Sequence, residues 1–210
     1  MSQIFTENGD VIPVTVIEAG PVTVTQIRTK DKDGYDAVQI GYGIKNKINK
    51  SIAGHLNGLE NLRHLREFKS HKSTLKANQS MAEEIKTDES AIAGLKRGDK
   101  IDVSIFNMGD IVRVSGISKG RGFQGAVKKH GFKGAPASHG HKKMLRQVGS
   151  IGQRFPQHTL KGTRMAGHMG NIRVTVRNLS ITSIDKESNL ISLKGAVPGR
   201  KGTLLEIVKT

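Results

Sequence analysis

Runs of β-branched residues punctuated by glycine and proline set the pattern of residues 1–43. Val11-Ile12-Pro13-Val14-Thr15-Val16-Ile17 and Val22-Thr23-Val24-Thr25-Gln26-Ile27 are separated by Gly20-Pro21, and a third run, Tyr35 to Ile40, follows Lys32-Asp33-Gly34. Branched side chains fit the pleated surface of a sheet, while glycine and proline break it into strands. Glu7-Asn8-Gly9-Asp10 carries an Asn-Gly pair, a hairpin signal because both residues accept positive φ. The pattern predicts an antiparallel meander.

From Lys45 to Ala93 the pattern changes. Lys50 to Leu56 and Leu59 to Phe68 are polar, with apolar residues such as Leu62, Leu65 and Phe68 at helical spacing, which predicts short helices or an irregular excursion. Strand-like runs return at Ile101–Ile105 and Ile111–Val114, then at Ile172–Val176, Leu179–Ile184, Leu190–Leu193 and Leu204–Val208. The fold class expected is therefore mainly β: a closed antiparallel β-barrel with a partly helical excursion and a long glycine-rich basic extension. Residues 1–44, 94–115 and 171–210 form the barrel body, 45–93 the insertion and 116–170 the extension.

Charge singles out that extension. The chain of 210 residues has a net charge of +16, yet the 74 residues between Asp110 and Asp185 contain no Asp or Glu. They hold 14 Lys and Arg, leaving 20 basic and 18 acidic side chains for the rest of the protein. A segment so charged repels itself and becomes compact against a polyanion. It also contains Phe123, Phe132, Met144, Leu145, Ile151, Phe155 and Leu160, apolar groups that can pack once the charge is neutralised. This composition predicts a segment without structure of its own before its partner arrives, and argues against a solvated loop with no partner. The sequence has no cysteine, which excludes disulfides and thiolate metal sites. No apolar run is long enough for a membrane helix and no signal-peptide pattern is present, so a soluble protein with no membrane partner is expected.

Three chemical readings of the basic segment fail on context. Gly120-Arg121-Gly122-Phe123-Gln124-Gly125 matches G-x-G-x-x-G, but a dinucleotide loop opens a helix and needs an acid about 20 residues on. Here glycine and proline interrupt, and the next acid is Asp185. No cofactor is expected. His130, His139, His141, His158 and His168 lack carboxylate or thiolate co-ligands in this stretch and sit among cations, so no metal is expected either. Hydrolysis of phosphates wants carboxylates, and neither they nor a nucleophile elbow is present; no catalytic residues are assigned and no enzyme is expected. Binding remains. The glycines let backbone approach phosphates closely, with cations between them. A helix-turn-helix, zinc finger or basic zipper is absent, which argues against DNA, and an extended glycine-hinged strand suits the irregular interior of a folded RNA.

The ordered blocks Ser118 to Gly125, Gly149-Ser150-Ile151-Gly152-Gln153, Met165-Ala166-Gly167-His168-Met169-Gly170, Arg173-Val174-Thr175-Val176 and Lys194 to Gly199 together resemble the signature series of the large-subunit ribosomal protein L-three family, bacterial or organellar type. Ile4 to Gly9 and Ile12 to Val16 agree with it. The likeness runs over essentially the whole chain and is weakest across 45–93. It implies a structural constituent of the large ribosomal subunit that binds large-subunit rRNA early in assembly, near its 3′ end. It also implies a barrel at the subunit surface, an extension running toward the peptidyl transferase centre, and neighbouring large-subunit proteins as partners. The cations expected on phosphates are Lys119, Arg121, Lys128, Lys129, Lys133, Lys142, Lys143, Arg146, Arg154, Lys161, Arg164 and Arg173. Gln153 takes the place of a glutamine that some bacterial members N-methylate, which would make a glutamine methyltransferase a partner; the unmodified amide can equally hydrogen-bond RNA. Family members also carry a glycine- and lysine-containing segment ahead of the position of Met1, so either an incomplete first strand or a misassigned start codon is expected. The location implied is the ribosome, in the cytoplasm or in an organelle matrix or stroma. The alternative is a general RNA chaperone acting outside the ribosome.

Overall fold

A computed structural model describes residues 1–6, 9–69 and 95–210. The chain divides into two compact units, Met1–Asp110 with Ser180–Gly195, and Ile111–Leu179 with Ala196–Thr210.

In the first unit, β1 (Ser2–Phe5) and β2 (Val11–Glu18) form a hairpin, pairing Ser2 with Val14 and Phe5 with Val11. The turn between them is closed by Gly9 N–H donating to Thr6 O at 2.9 Å, with Gly9 at φ +85°. Asn8, the other half of the predicted hairpin signal, lies outside the described residues with Glu7. β2 then pairs with β11 (Leu190–Lys194), and β11 with β10 (Arg173–Asp185). Flanked on both sides, β11 buries Ile191 and Leu193 completely and Ser192 nearly so.

The chain leaves this sheet at Gly20-Pro21. Gly20 packs at ordinary contact distance against Asn189 and Val103, a Cβ there standing 3.4 Å from Asn189 Oδ1 and 3.6 Å from Val103 Cγ2. β3 (Val22–Arg28) starts a second sheet in the order β5-β4-β3-β6 with β4 (Ala37–Ile44), β5 (Leu62–Lys69) and β6 (Lys100–Ile101). The expected single meander over residues 1–43 is therefore two hairpins in two sheets. The β3–β4 connection holds a single helical turn, α1 (Lys30–Asp33), ended by Gly34 at φ +80°. Val24, Ala37, Val38, Leu56, Leu62 and Val103 supply the buried apolar side chains of this part.

Two other expectations are corrected in this unit. A short helix, α2 (Lys50–His55), does form in the excursion, but the helical spacing of Leu62, Leu65 and Phe68 belongs to strand β5. Seven register pairs with β4, from Ala37↔Lys69 to Ile44↔Leu62, satisfy its backbone and override the local pattern. Conversely, the run Ile101–Ile105 is strand only at its first residue. Val103–Ile105 is a 3₁₀ turn that buries Val103.

In the second unit β7 (Ile111–Ile117) lies between β10 and β12 (Leu205–Lys209), with Val112 and Val114 fully buried. The runs Ile172–Val176 and Leu179–Ile184 prove to be one strand, β10, which passes Asn178 at φ +59° without ending and continues into the first unit. The protein is mainly β. Among the described residues, however, no sheet closes into the expected barrel. Closure needs the two edges of a sheet to pair, and the strand orders end at unpaired edges, β1 and β12 in one case and β5 and β6 in the other.

Candidate RNA interface

The basic segment leaves β7 and returns to β10 through a short two-stranded stem. Ser118 N–H donates to Ile172 O, Arg121 N–H to Met169 O and Met169 N–H to Gly122 O, each at 2.9 Å. Next come β8 (Phe123–Gln124) and β9 (Gly167–His168), paired Phe123↔His168 and Gln124↔Gly167. One glycine fixes this base: Gly170, at φ +76°, leaves no room for a Cβ against the Lys119 carbonyl. The nearest atom to a Cβ on Gly167 is the mobile tip of Lys129, Nζ at 2.9 Å. Both glycines lie in the Met165–Gly170 block, where nothing local in the sequence marks their contacts.

One turn of helix, α3 (Ala126–His130), follows the G-x-G-x-x-G and is cut short by glycine, the interruption expected from the sequence. It is five residues long and stops at Gly131 in the left-handed conformation, φ +73°. Ala126 is its buried anchor, and Lys128, Lys129 and His130 occupy its last turn, where positive charge suits the carbonyl end of a helix. His130 Nε2 lies 3.1 Å from Met165 O, tying α3 to the returning chain.

Residues 131–166 form no regular element. Their order is local: a Cβ at Gly134 would stand 3.1 Å from Arg146 N, Gln147 Nε2 donates to Lys143 O at 3.0 Å, and Ser150 Oγ donates to Gly152 O at 2.9 Å. His139, Lys143 and Arg146 all have positive φ, between 60° and 65°.

Of the twelve cations singled out in the sequence, all but Lys129 are exposed, and Lys129 is half-buried beside Gly167. Arg173 differs in another way: it sits on β10 and is ion-paired with Glu206 of β12. Gln153 is exposed, one residue past the Ser150–Gly152 bond. Alongside the cations Phe123 (76%), Phe155 (63%), Leu160 (58%) and Leu145 (57%) are exposed to solvent. Arg154 sits 5.8 Å from the centre of the Phe155 ring. Large apolar groups thus stand in water among exposed cations. Among the described residues no three His, Asp or Glu side chains come together, and the histidines of this segment are spread along it.

The comparisons with known proteins decide what this arrangement belongs to. The model of the family described as Ribosomal protein L3 matches residues 80–210. A protein of Roseiflexus sp. (strain RS-1) named large ribosomal subunit protein uL3 is 50% identical over 211 residues, covering 99% of this chain and 91% of its own. The chain belongs to the ribosomal protein L3 family. Proteins of the same name from Herpetosiphon aurantiacus (49% identical; 99% of this chain, 91% of the relative) and Finegoldia magna (43%; 100% and 95%) agree. Members of the L3 family are structural components, not enzymes.

Proposed function

We propose that this chain is a structural constituent of the large ribosomal subunit and that residues 116–170 are its rRNA-binding extension. The observation that carries this reading is the 74-residue stretch without an acid, most of whose cations stand exposed beyond a short stem. Each exposed cation can neutralise a phosphate, and the glycine-rich backbone lets the chain lie close to RNA. The twelve cations from Lys119 to Arg173 act mainly as phosphate ligands, Arg173 after exchanging Glu206 for RNA.

The finer parts of the reading rest on the family. Binding occurs early in assembly near the 3′ end of the large-subunit rRNA, the extension points toward the peptidyl transferase centre, and neighbouring large-subunit proteins flank the strands. Gln153, exposed on its turn, is accessible to a glutamine methyltransferase. The relatives named above are bacterial, which supports the cytoplasmic ribosome as the location. A tagged copy followed through a sucrose gradient, before and after a high-salt wash, tests the proposal. Retention in the large subunit supports it. Release by salt, or a peak away from the subunits, would instead make this a general RNA chaperone, because contacts made only through exposed phosphates weaken steeply with salt.

A further inference from the structure

A second cationic surface lies in the first unit, where sequence charge gave no hint of one. β4 ends at Ile44, paired with Leu62, and Lys45 N–H donates to Asn61 O at 2.8 Å. This brings Lys45, Asn46 and Lys47 alongside Arg63 on β5. Gly43, at φ +70°, carries no side chain and leaves the space beside Arg63 open, the nearest atom to a Cβ there being Arg63 Cβ at 3.8 Å. The result is an open groove of about 560 Å³ lined by Ile44, Lys45, Asn46, Lys47 and Arg63.

The chemistry of the lining is one-sided. Three cations and no carboxylate face the groove. Arg28 and Lys100, in the same unit, are tied to Asp33, Glu67 and Glu60, whereas Lys45, Lys47 and Arg63 have no acidic partner among the described residues. The neighbouring His64 is held below its usual pKa, first by burial and then by Arg63 and Arg66. Ile44 is 71% exposed beside the cations, an aliphatic face against which a sugar or base can lie, and the Asn46 amide can both donate and accept.

We propose that this groove is a second RNA anchor, in which Lys45, Lys47 and Arg63 hold backbone phosphates of an irregular stretch of rRNA while Ile44 covers a nucleoside. The inference rests on the ribosomal reading above but not on the extension, since its residues lie outside 116–170.

The test is filter binding of the full-length chain to transcribed large-subunit rRNA and to an unrelated RNA of equal length, over a range of salt. Three proteins are compared: the unaltered chain, the triple variant Lys45→Gln, Lys47→Gln, Arg63→Gln, and the charge-keeping variant Lys45→Arg, Lys47→Arg, Arg63→Lys. Loss of three phosphate contacts should lower the salt slope by about two to three units and the affinity roughly ten-fold, and remove one patch of hydroxyl-radical protection on the rRNA. The charge-keeping variant should retain most of both. An unchanged slope and footprint in the glutamine variant would overturn the anchor and leave the ribosomal reading standing. Failure of the unaltered chain to prefer the large-subunit rRNA would overturn both.

Discussion

Gly170 lies so close against the carbonyl of Lys119 that no side chain fits between them. That contact sits at the foot of the basic extension, beside the Ser118–Ile172 and Arg121–Met169 bonds. Gly170 also has φ +76°, a conformation that other L-residues adopt at a cost. Gly170→Ala should therefore cost about 1–3 kcal/mol locally and pry the stem apart. Hydrogen exchange reads this directly: the amides of Ser118, Arg121 and Met169 should lose protection while those of β11 keep theirs. Unchanged protection in the stem would show that the contact is not needed to close it.

The ion pair of Arg173 and Glu206 behaves differently. The Arg173 side chain is 62% exposed, and exposed pairs are worth at most about 1 kcal/mol after screening. Arg173→Ala should leave the urea midpoint of the free protein almost unchanged while weakening rRNA binding and reducing its salt slope by about one unit. A large loss of stability with unchanged binding would make Arg173 a structural residue.

Acid should reveal the polar cluster on β5. Arg28 Nε donates to Glu67 Oε1 at 2.8 Å and Tyr35 OH to Glu67 Oε2 at 2.9 Å. These bonds, that of Arg28 foremost, hold the Glu67 carboxyl below the usual carboxylate range against the opposing effect of burial. A carboxyl with a depressed pKa in the folded state takes up protons more readily when unfolded, so stability rises with pH through that window and is lost as pH falls through the folded value. Urea midpoints from about pH 7 down to about pH 3 should fall more steeply for the unaltered protein than for Glu67→Gln, which starts lower and varies less. Parallel curves would mean that Glu67 carries no linkage.

How much of this was legible beforehand differs by residue. Strands β2, β3 and β11 announce themselves because branched residues alternate or cluster between glycine-rich turns, and the acid-free segment is visible by counting. β5 is not, because Leu62, Leu65 and Phe68 satisfy a helical spacing as well as a strand, and only the partner β4 settles it. The join of two short runs into β10 is equally hidden, since Asn178 looks like a turn and is instead tolerated at φ +59° within a strand. Barrel closure depends on which distant edges meet, which local pattern does not encode. In the candidate interface the cations were readable one by one, but Gly170 at the foot of the stem takes its meaning from Lys119, some 50 residues away in sequence. The groove at Lys45, Lys47 and Arg63 was missed for the same reason: the hairpin, not the sequence, gathers its charges.

Packing gives a further expectation. Ile191 and Leu193 are fully buried on β11, between β2 and β10. Ile191→Ala or Leu193→Ala should lower unfolding free energy by about 2–5 kcal/mol, measured by urea denaturation. A loss below about 1 kcal/mol would mean that the site collapses around the smaller residue.

Gln153 offers a chemical check. Mass spectrometry of its tryptic peptide from purified subunits should show N-methylation if the exposed turn at Ser150–Gly152 presents it to a methyltransferase. An unmodified peptide would assign the amide to direct contact with RNA.

The most direct test of the central claim is protein–RNA crosslinking within purified large subunits, read by peptide mass spectrometry. If the basic segment is the rRNA-binding element, crosslinks should concentrate between Lys119 and Arg173, with a smaller set at Lys45, Lys47 and Arg63. Crosslinks confined to residues outside both regions, or no chain in the purified subunit, would contradict it.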